Sequence, residues 1–211
     1  MNPDTTQIEQ RTAEWYEIRL GKATASRFKD ILATTKSGTP TAARKNYRAQ
    51  LVVERLTGAQ AERFKSSAME WGTDTEDLAA VTYSLKTGRT IDAVGFIQHE
   101  TLAAGASPDG FVGDDGTVEI KCYNTANHID ALRANAMPKE HMPQVQGQLL
   151  MADRAWCDFI SFEPTLPSNA QIFVQRIQRD NSYIKMLIDE LAIFLDEVDA
   201  DVEFIRSYGH E

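Results

Sequence analysis

Cysteine is nearly missing from this 211-residue chain, which holds only Cys122 and Cys157. Two cysteines cannot build a secreted disulfide framework, and they exclude a four-cysteine metal or iron–sulfur site. A reducing cytoplasm is the expected compartment. No apolar run approaches the roughly 20 residues needed to span a bilayer, so no membrane role is expected. The opening residues Met1-Asn2-Pro3-Asp4-Thr5-Thr6-Gln7 lack the basic and apolar regions of an export signal. His99, His128 and His210 show no zinc-ligand spacing. Internal repeats, low-complexity segments and an interdomain linker are absent as well. A single domain over residues 1–211 with a sizeable core is expected.

What is present is unevenly charged. The net charge of −9 conceals eight acids against Arg206 in residues 189–211, and eleven bases against Asp30, Glu54 and Glu62 in residues 19–65. One part therefore reads as a phosphate-binding surface and the other as an acidic solvent face. The plainer alternative is a set of solvated basic helices.

Periodicity divides the chain into a basic helical part (12–88), a sheet core (90–178) and a C-terminal amphipathic helix (180–207). Helices are expected over 12–20, from Thr24 as N-cap to Leu32, around Tyr47, Leu51, Val52 and Leu56 up to Gly58, and over 67–86. Strands are expected at 90–98, 103–112, 117–122, 155–162 and 170–178, with helices at 127–134 and 139–152. In the last helix Ile184, Leu187, Ile188, Leu191, Leu195, Val198, Val202 and Ile205 form a stripe suited to packing within the chain. The expected architecture is α/β, a central mixed sheet flanked by helices.

Chemistry concentrates between Ser107 and Lys121. Asp109 precedes Glu119-Ile120-Lys121 by ten positions, and the turn-forming run Gly113-Asp114-Asp115-Gly116 lies between them. A hairpin there would set Asp109 beside Glu119. Strand alternation puts Glu119 and Lys121 on one face and Ile120 in the core. Two carboxylates and an amine suit a hard divalent cation and a water that must lose a proton, which is phosphodiester hydrolysis. A surface hairpin with exposed charges is the competing reading. Glu76 is a candidate third carboxylate, Gln144 a candidate for orienting water or substrate, and His141 either an accessory proton carrier or a surface histidine.

Taken together, Trp15-Tyr16-x-x-Arg19-x-Gly21, Thr24-Ala25-Ser26, Trp71-Gly72-x-x-x-Glu76, Ser107-Pro108-Asp109-Gly110, Glu119-x-Lys121-Cys122 and Gln144-Val145-Gln146 resemble the phage lambda exonuclease group. This is the YqaJ-type viral recombinase family of the PD-(D/E)xK nuclease superfamily. The resemblance implies a restriction-endonuclease-like α/β core and a magnesium-dependent exonuclease that degrades the 5′-ended strand of duplex DNA. Manganese would substitute, and two ions would bind per site. It implies Asp109, Glu119 and the Ile120 carbonyl as metal ligands, and Glu76 assisting directly or through water. Lys121 would act on the attacking water as a base or as a fixed charge. Gln144 would lie beside the active site, and Arg19 and Ser26 would receive the 5′-phosphate. Lys36, Arg44 and Lys45 are alternatives for the family's DNA-contacting loop lysine. A ring of three subunits, a single-strand annealing partner and a phage or prophage origin are implied likewise. An endonuclease of the same fold and a non-catalytic DNA-binding module are the other readings.

Overall fold

A computed structural model of the chain describes residues 5–60 and 67–209, with the side chains of 67–74 excepted. The Trp71-Gly72 pair of the sequence motif and His210 lie outside what is described. The described elements are, in order, α1 (Ala13–Ile18), β1 (Ala23–Thr24), α2 (Phe28–Leu32), α3 (Ala42–Thr57), α4 (Ser67–Thr87), β2 (Ile97–Gln98), β3 (Ala104–Ala106), β4 (Gly110–Val112), β5 (Gly116–Cys122), α5 (Thr125–Ala134), α6 (Met142–Ala152), β6 (Trp156–Phe162), β7 (Ile172–Gln178) and α7 (Asn181–Ser207). Short 3-10 turns join several of them. Helix ends follow local chemistry. The Thr12 hydroxyl accepts from Trp15 N–H to start α1, and Asp180 caps α7 through the N–H groups of Ser182 and Tyr183. Thr24, expected to cap the next helix, belongs to β1 instead and makes no capping bond; its N–H goes to the Tyr47 hydroxyl at 2.9 Å.

The expected single sheet is two sheets. A small one runs β1-β3-β2 and a larger mixed one runs β4-β5-β6-β7, parallel only between β5 and β6. The cause is Pro108, which has no N–H to give to a ladder. The strand expected over 103–112 therefore breaks into β3 and β4, one in each sheet. The strand expected over 90–98 is reduced to β2 and an isolated bridge between Asp92 and Phe111. The strands read at 117–122, 155–162 and 170–178 stand within two residues of their expected ends.

Helix α7 packs against α2, α3 and α6. Its expected stripe is buried from Ile184 to Val202, with Ile188 half-buried and Ile205 exposed, and Phe194 joins it by stacking on Tyr47 at 5.6 Å between ring centres. The acids of α7 are not only a solvent face. Glu197 accepts from Arg44 at 2.5 Å and Arg48 at 2.9 Å, Arg48 also reaches Asp201 at 2.8 Å, and Arg55 pairs with Asp199. Three arginines of the basic segment are thus paired with acids of α7. Arg44 in particular is buried and gives its Nε–H to the Ile31 carbonyl at 3.0 Å, which corrects its reading as a DNA contact. Lys36 and Lys45 remain exposed.

Burial alone would raise the Glu197 pKa, but the hydrogen bonds and charges of Arg44 and Arg48 outweigh it and hold the carboxyl below its usual value. The resulting stability is present above the unfolded glutamate pKa and is lost as pH falls through the lower folded one. Glu197→Ala is expected to cost about 2 kcal/mol, because Arg44 is left buried without its carboxylate. Thermal melts followed by circular dichroism should fall by roughly 4–8 °C at neutral pH. The gap to wild type should narrow in acid.

Candidate active site

The β4–β5 hairpin turns at Gly113, whose φ of 55° is left-handed. Gly110 pairs with Val118, and continuing that register sets Asp109 opposite Glu119. Gly110 must lack a side chain, since a Cβ there would come within 2.2 Å of Ile91 Cγ2. The Asp109 backbone N–H reaches the Val118 carbonyl at 3.1 Å, and its Oδ2 accepts the Ile120 N–H at 2.6 Å. Val118 and Ile120 pack with Ala79 and Tyr83 of α4 on one face of β5. Glu119 and Lys121 turn to the other face, toward α6, as alternation requires. Glu119 is almost fully buried, at 1% exposure.

Three donors converge on the Glu119 carboxylate. Lys121 Nζ lies 2.5 Å and Gln144 Nε2 2.6 Å from Oε1, and Gln148 Nε2 donates to Oε2. Gln144 was expected beside the site. Gln148, one helical turn further along α6, has no role assigned from the sequence, although its four-residue spacing from Gln144 puts it on the same face. Glu76 projects from α4 and is held by Arg11, a second residue the motifs did not flag.

The electrostatics follow from this crowding. Burial, then the charges of Glu119 and Glu76, push the Asp109 carboxyl well above the usual carboxylate range, although Lys121 and the Ile120 N–H oppose the shift. Burial by itself would lower the Lys121 pKa, but Glu119 and Asp109 outweigh it and hold the ammonium above its ordinary value. In the metal-free site the carboxylates thus oppose the lowered lysine pKa that a base would need. Burial, then Glu76 and Asp109, push the Cys122 thiol up to about 12, so it is no nucleophile at neutral pH. His141 is neither a surface residue nor a proton carrier near neutrality. It is buried against the Tyr123 hydroxyl, and burial with Lys121 and Lys29 drives its pKa down to about 4.

Glu76, Asp109 and Ile120 line one cleft, and beside it lies a second of about 180 Å³, whose walls include Arg19, Ser26, Ser107, Gln144 and Gln148. The Arg19 guanidinium lies 3.8 Å over the Trp15 ring and donates to Ser107 Oγ at 3.1 Å, where Trp15 Nε1 also donates at 3.0 Å. Gly147 lets α6 close on α2, because a Cβ there would come 2.6 Å from the Phe28 ring. The structure therefore brings Glu76, Asp109, Glu119, Lys121 and Gln144 to one place and Arg19 and Ser26 to the next. Lys36, Arg44 and Lys45 line neither cleft.

The donor set suits a hard divalent cation. Asp109, Glu119 and Glu76 offer oxygen ligands, Ile120 adds a carbonyl within the same hairpin, and the raised Asp109 carboxyl marks negative charge that lacks a matching cation. Among the described residues no three His, Cys, Asp or Glu side chains stand ready as a cluster. The reason is visible in the contacts. Glu76 is turned onto Arg11, and Glu119 is engaged by Lys121, Gln144 and Gln148.

Among the described residues, no helix is long and apolar enough to cross a membrane. Residues 14–155 match the YqaJ-like viral recombinase domain. Two crystal structures of LHK-Exo, an alkaline exonuclease from Laribacter hongkongensis, are each 42% identical to the chain, one of them in complex with dAMP. Each match covers 92% of this chain and 96% of the other, with TM-scores of 0.86 and 0.85. A phage related exonuclease from Haemophilus somnus 129PT is 17% identical over 87% of this chain and 96% of its own, with a TM-score of 0.69, and supports the fold alone. No curated protein sequence matches the chain. The fold is that of the PD-(D/E)xK nucleases, and the chain belongs to the YqaJ-like viral recombinase family.

Proposed function

We propose that this protein is a magnesium-dependent 5′→3′ exonuclease on double-stranded DNA, leaving 3′ single-stranded overhangs for phage-type annealing recombination. The observation that carries the reading is a pair of glutamines that joins the buried carboxylate to the second cleft. Gln144 and Gln148 hold Glu119 on one side and line the Arg19–Ser26 cleft on the other. A strand whose terminal phosphate entered the second cleft would present a nearby phosphodiester to the carboxylates.

Asp109, Glu119 and the Ile120 carbonyl are the residues to hold magnesium or manganese, as one ion or a pair, with Glu76 assisting. A bound divalent cation would ease deprotonation of the attacking water and offset charge building on the phosphoryl oxygens. The chain's own groups do the positioning. The Ile120 N–H fixes Asp109, and the two glutamine amides fix Glu119. Lys121 supplies a positive charge toward the reacting phosphoryl group. Arg19, oriented by Trp15, offers a planar fork that suits a terminal phosphate. A trimeric ring around DNA and a single-strand annealing partner belong to the same proposal and rest on family membership.

Digestion of linear duplexes bearing 5′-phosphate or 5′-hydroxyl ends, beside a covalently closed circle, tests the reading. Wild type is expected to prefer the phosphorylated end by at least about tenfold, the worth of a charge-assisted phosphate contact. Arg19→Ala should erase that preference, and the closed circle should survive. Cleavage of the circle as fast as the linear duplex would instead mark an endonuclease.

A further inference from the structure

Arg11 stands between the two clefts and lines both, the 180 Å³ cleft of Arg19 and a larger one of about 390 Å³ floored by Asp109, Ile120 and Glu76. Its backbone is held there. Gln10 gives its amide hydrogens to the carbonyls of Val94 at 2.8 Å and Pro108 at 2.7 Å, which ties this stretch directly to the residue before Asp109. Arg11 itself is left-handed, at φ 71°, a conformation that a residue with a side chain keeps only when its surroundings demand it. The guanidinium donates to Glu76, and its side chain remains 47% exposed. An exposed ion pair of this kind is weak enough to exchange partners. A divalent cation arriving at the carboxylates would draw on Glu76, and a DNA strand laid across both clefts would bring phosphates to a guanidinium released from it.

We propose that Arg11 is a two-station residue: it holds Glu76 while no cation is bound, and turns to a DNA phosphate between the clefts once a cation takes that carboxylate. The inference rests on the nuclease reading for its substrate. Its two halves are measured by binding, so they do not depend on turnover.

The test uses the full chain with Ca²⁺ as the probe cation, comparing wild type, Arg11→Gly and Arg11→Lys. Glycine removes the charge and suits the left-handed backbone, and thermal melting checks that each variant folds. Calorimetry without DNA should show Arg11→Gly binding Ca²⁺ about twofold to fivefold tighter, since a competitor for Glu76 is gone. Fluorescence anisotropy with a labelled, 5′-phosphorylated duplex in Ca²⁺ should show the same variant binding the DNA end more weakly, on the order of tenfold. Arg11→Lys should recover part of both. Cation binding that is unchanged or weaker in Arg11→Gly would overturn the first station and leave a permanent structural ion pair. Unchanged duplex binding would overturn the second. Failure of wild type to digest duplex DNA with Mg²⁺ would sink the nuclease reading separately, and both binding measurements would still decide the role of Arg11.

Discussion

Asp109→Asn should abolish magnesium-dependent digestion of duplex DNA and, in the same protein, raise its melting temperature in chelator. The loss of activity follows from removing a carboxylate at the centre of the proposed metal site, with an expected drop of at least about a thousandfold. Duplex binding should largely persist, because Arg19 and Ser26 are untouched. The gain in stability follows from the sign of the pKa shift. Asp109 is pushed well above the usual carboxylate range by burial and by Glu119 and Glu76. A carboxyl whose folded pKa is raised contributes its stability at low pH, and that contribution is lost as pH rises through the folded value. Above the ordinary carboxylate range the metal-free wild type therefore carries the cost of that raised pKa. Asparagine keeps an oxygen for the Ile120 N–H and drops the charge. A gain of about 1 kcal/mol, or roughly 2–4 °C, is expected in melts with chelator. Added magnesium should stabilise wild type more than the variant. Digestion that survived the substitution would show the site to be wrongly assigned.

Lys121→Met should also remove activity, by about a hundredfold or more, yet move stability the opposite way. Glu119 and Asp109 hold the Lys121 ammonium above its ordinary pKa although burial opposes them. A raised lysine pKa gives stability that is fully present below the unfolded value near 10.5 and is lost as pH rises through the folded one. Without the ammonium, the buried Glu119 keeps only the two glutamine amides. The cost should be about 2–3 kcal/mol at neutral pH, below the usual figure for a broken buried pair because those amides remain. Differential scanning calorimetry of the two variants in chelator should place them on opposite sides of wild type. Matching shifts of the same sign would mean that the carboxylate cluster is not the source of either effect.

The hairpin was legible because its determinants are local. A Gly/Asp turn and a two-residue alternation suffice to put Asp109 opposite Glu119, and Ile120 inward, without knowledge of the rest of the fold. Glu76 and Gln144 are candidates from their residue types, Arg19 and Ser26 from motif resemblance, and contacts made across the fold explain why they meet. What escaped depends on partners distant in sequence. Gln148 matters because α6 lies over β5, which its spacing from Gln144 alone does not reveal. Arg11 acquires its setting from Glu76, 65 positions away, and from a backbone clamp made by Gln10. The charge pattern misled for the same reason. Arg44 sits 153 positions from Glu197, so the sum of a local basic segment could not reveal that it is already neutralised. Pro108 was visible, but its effect of sending two strands into different sheets was read as one continuous strand.

That break at Pro108 also couples the two places mechanically. Ser107 anchors Arg19 and Trp15 of the proposed end-binding cleft, and Asp109 belongs to the carboxylates, so two residues of chain, about 7 Å when extended, join the two places. A proline in the middle keeps that link stiff. On the proposed reading the segment is a stiff tie, so a shift of the Ser107 anchor would be passed on to Asp109 with little slack.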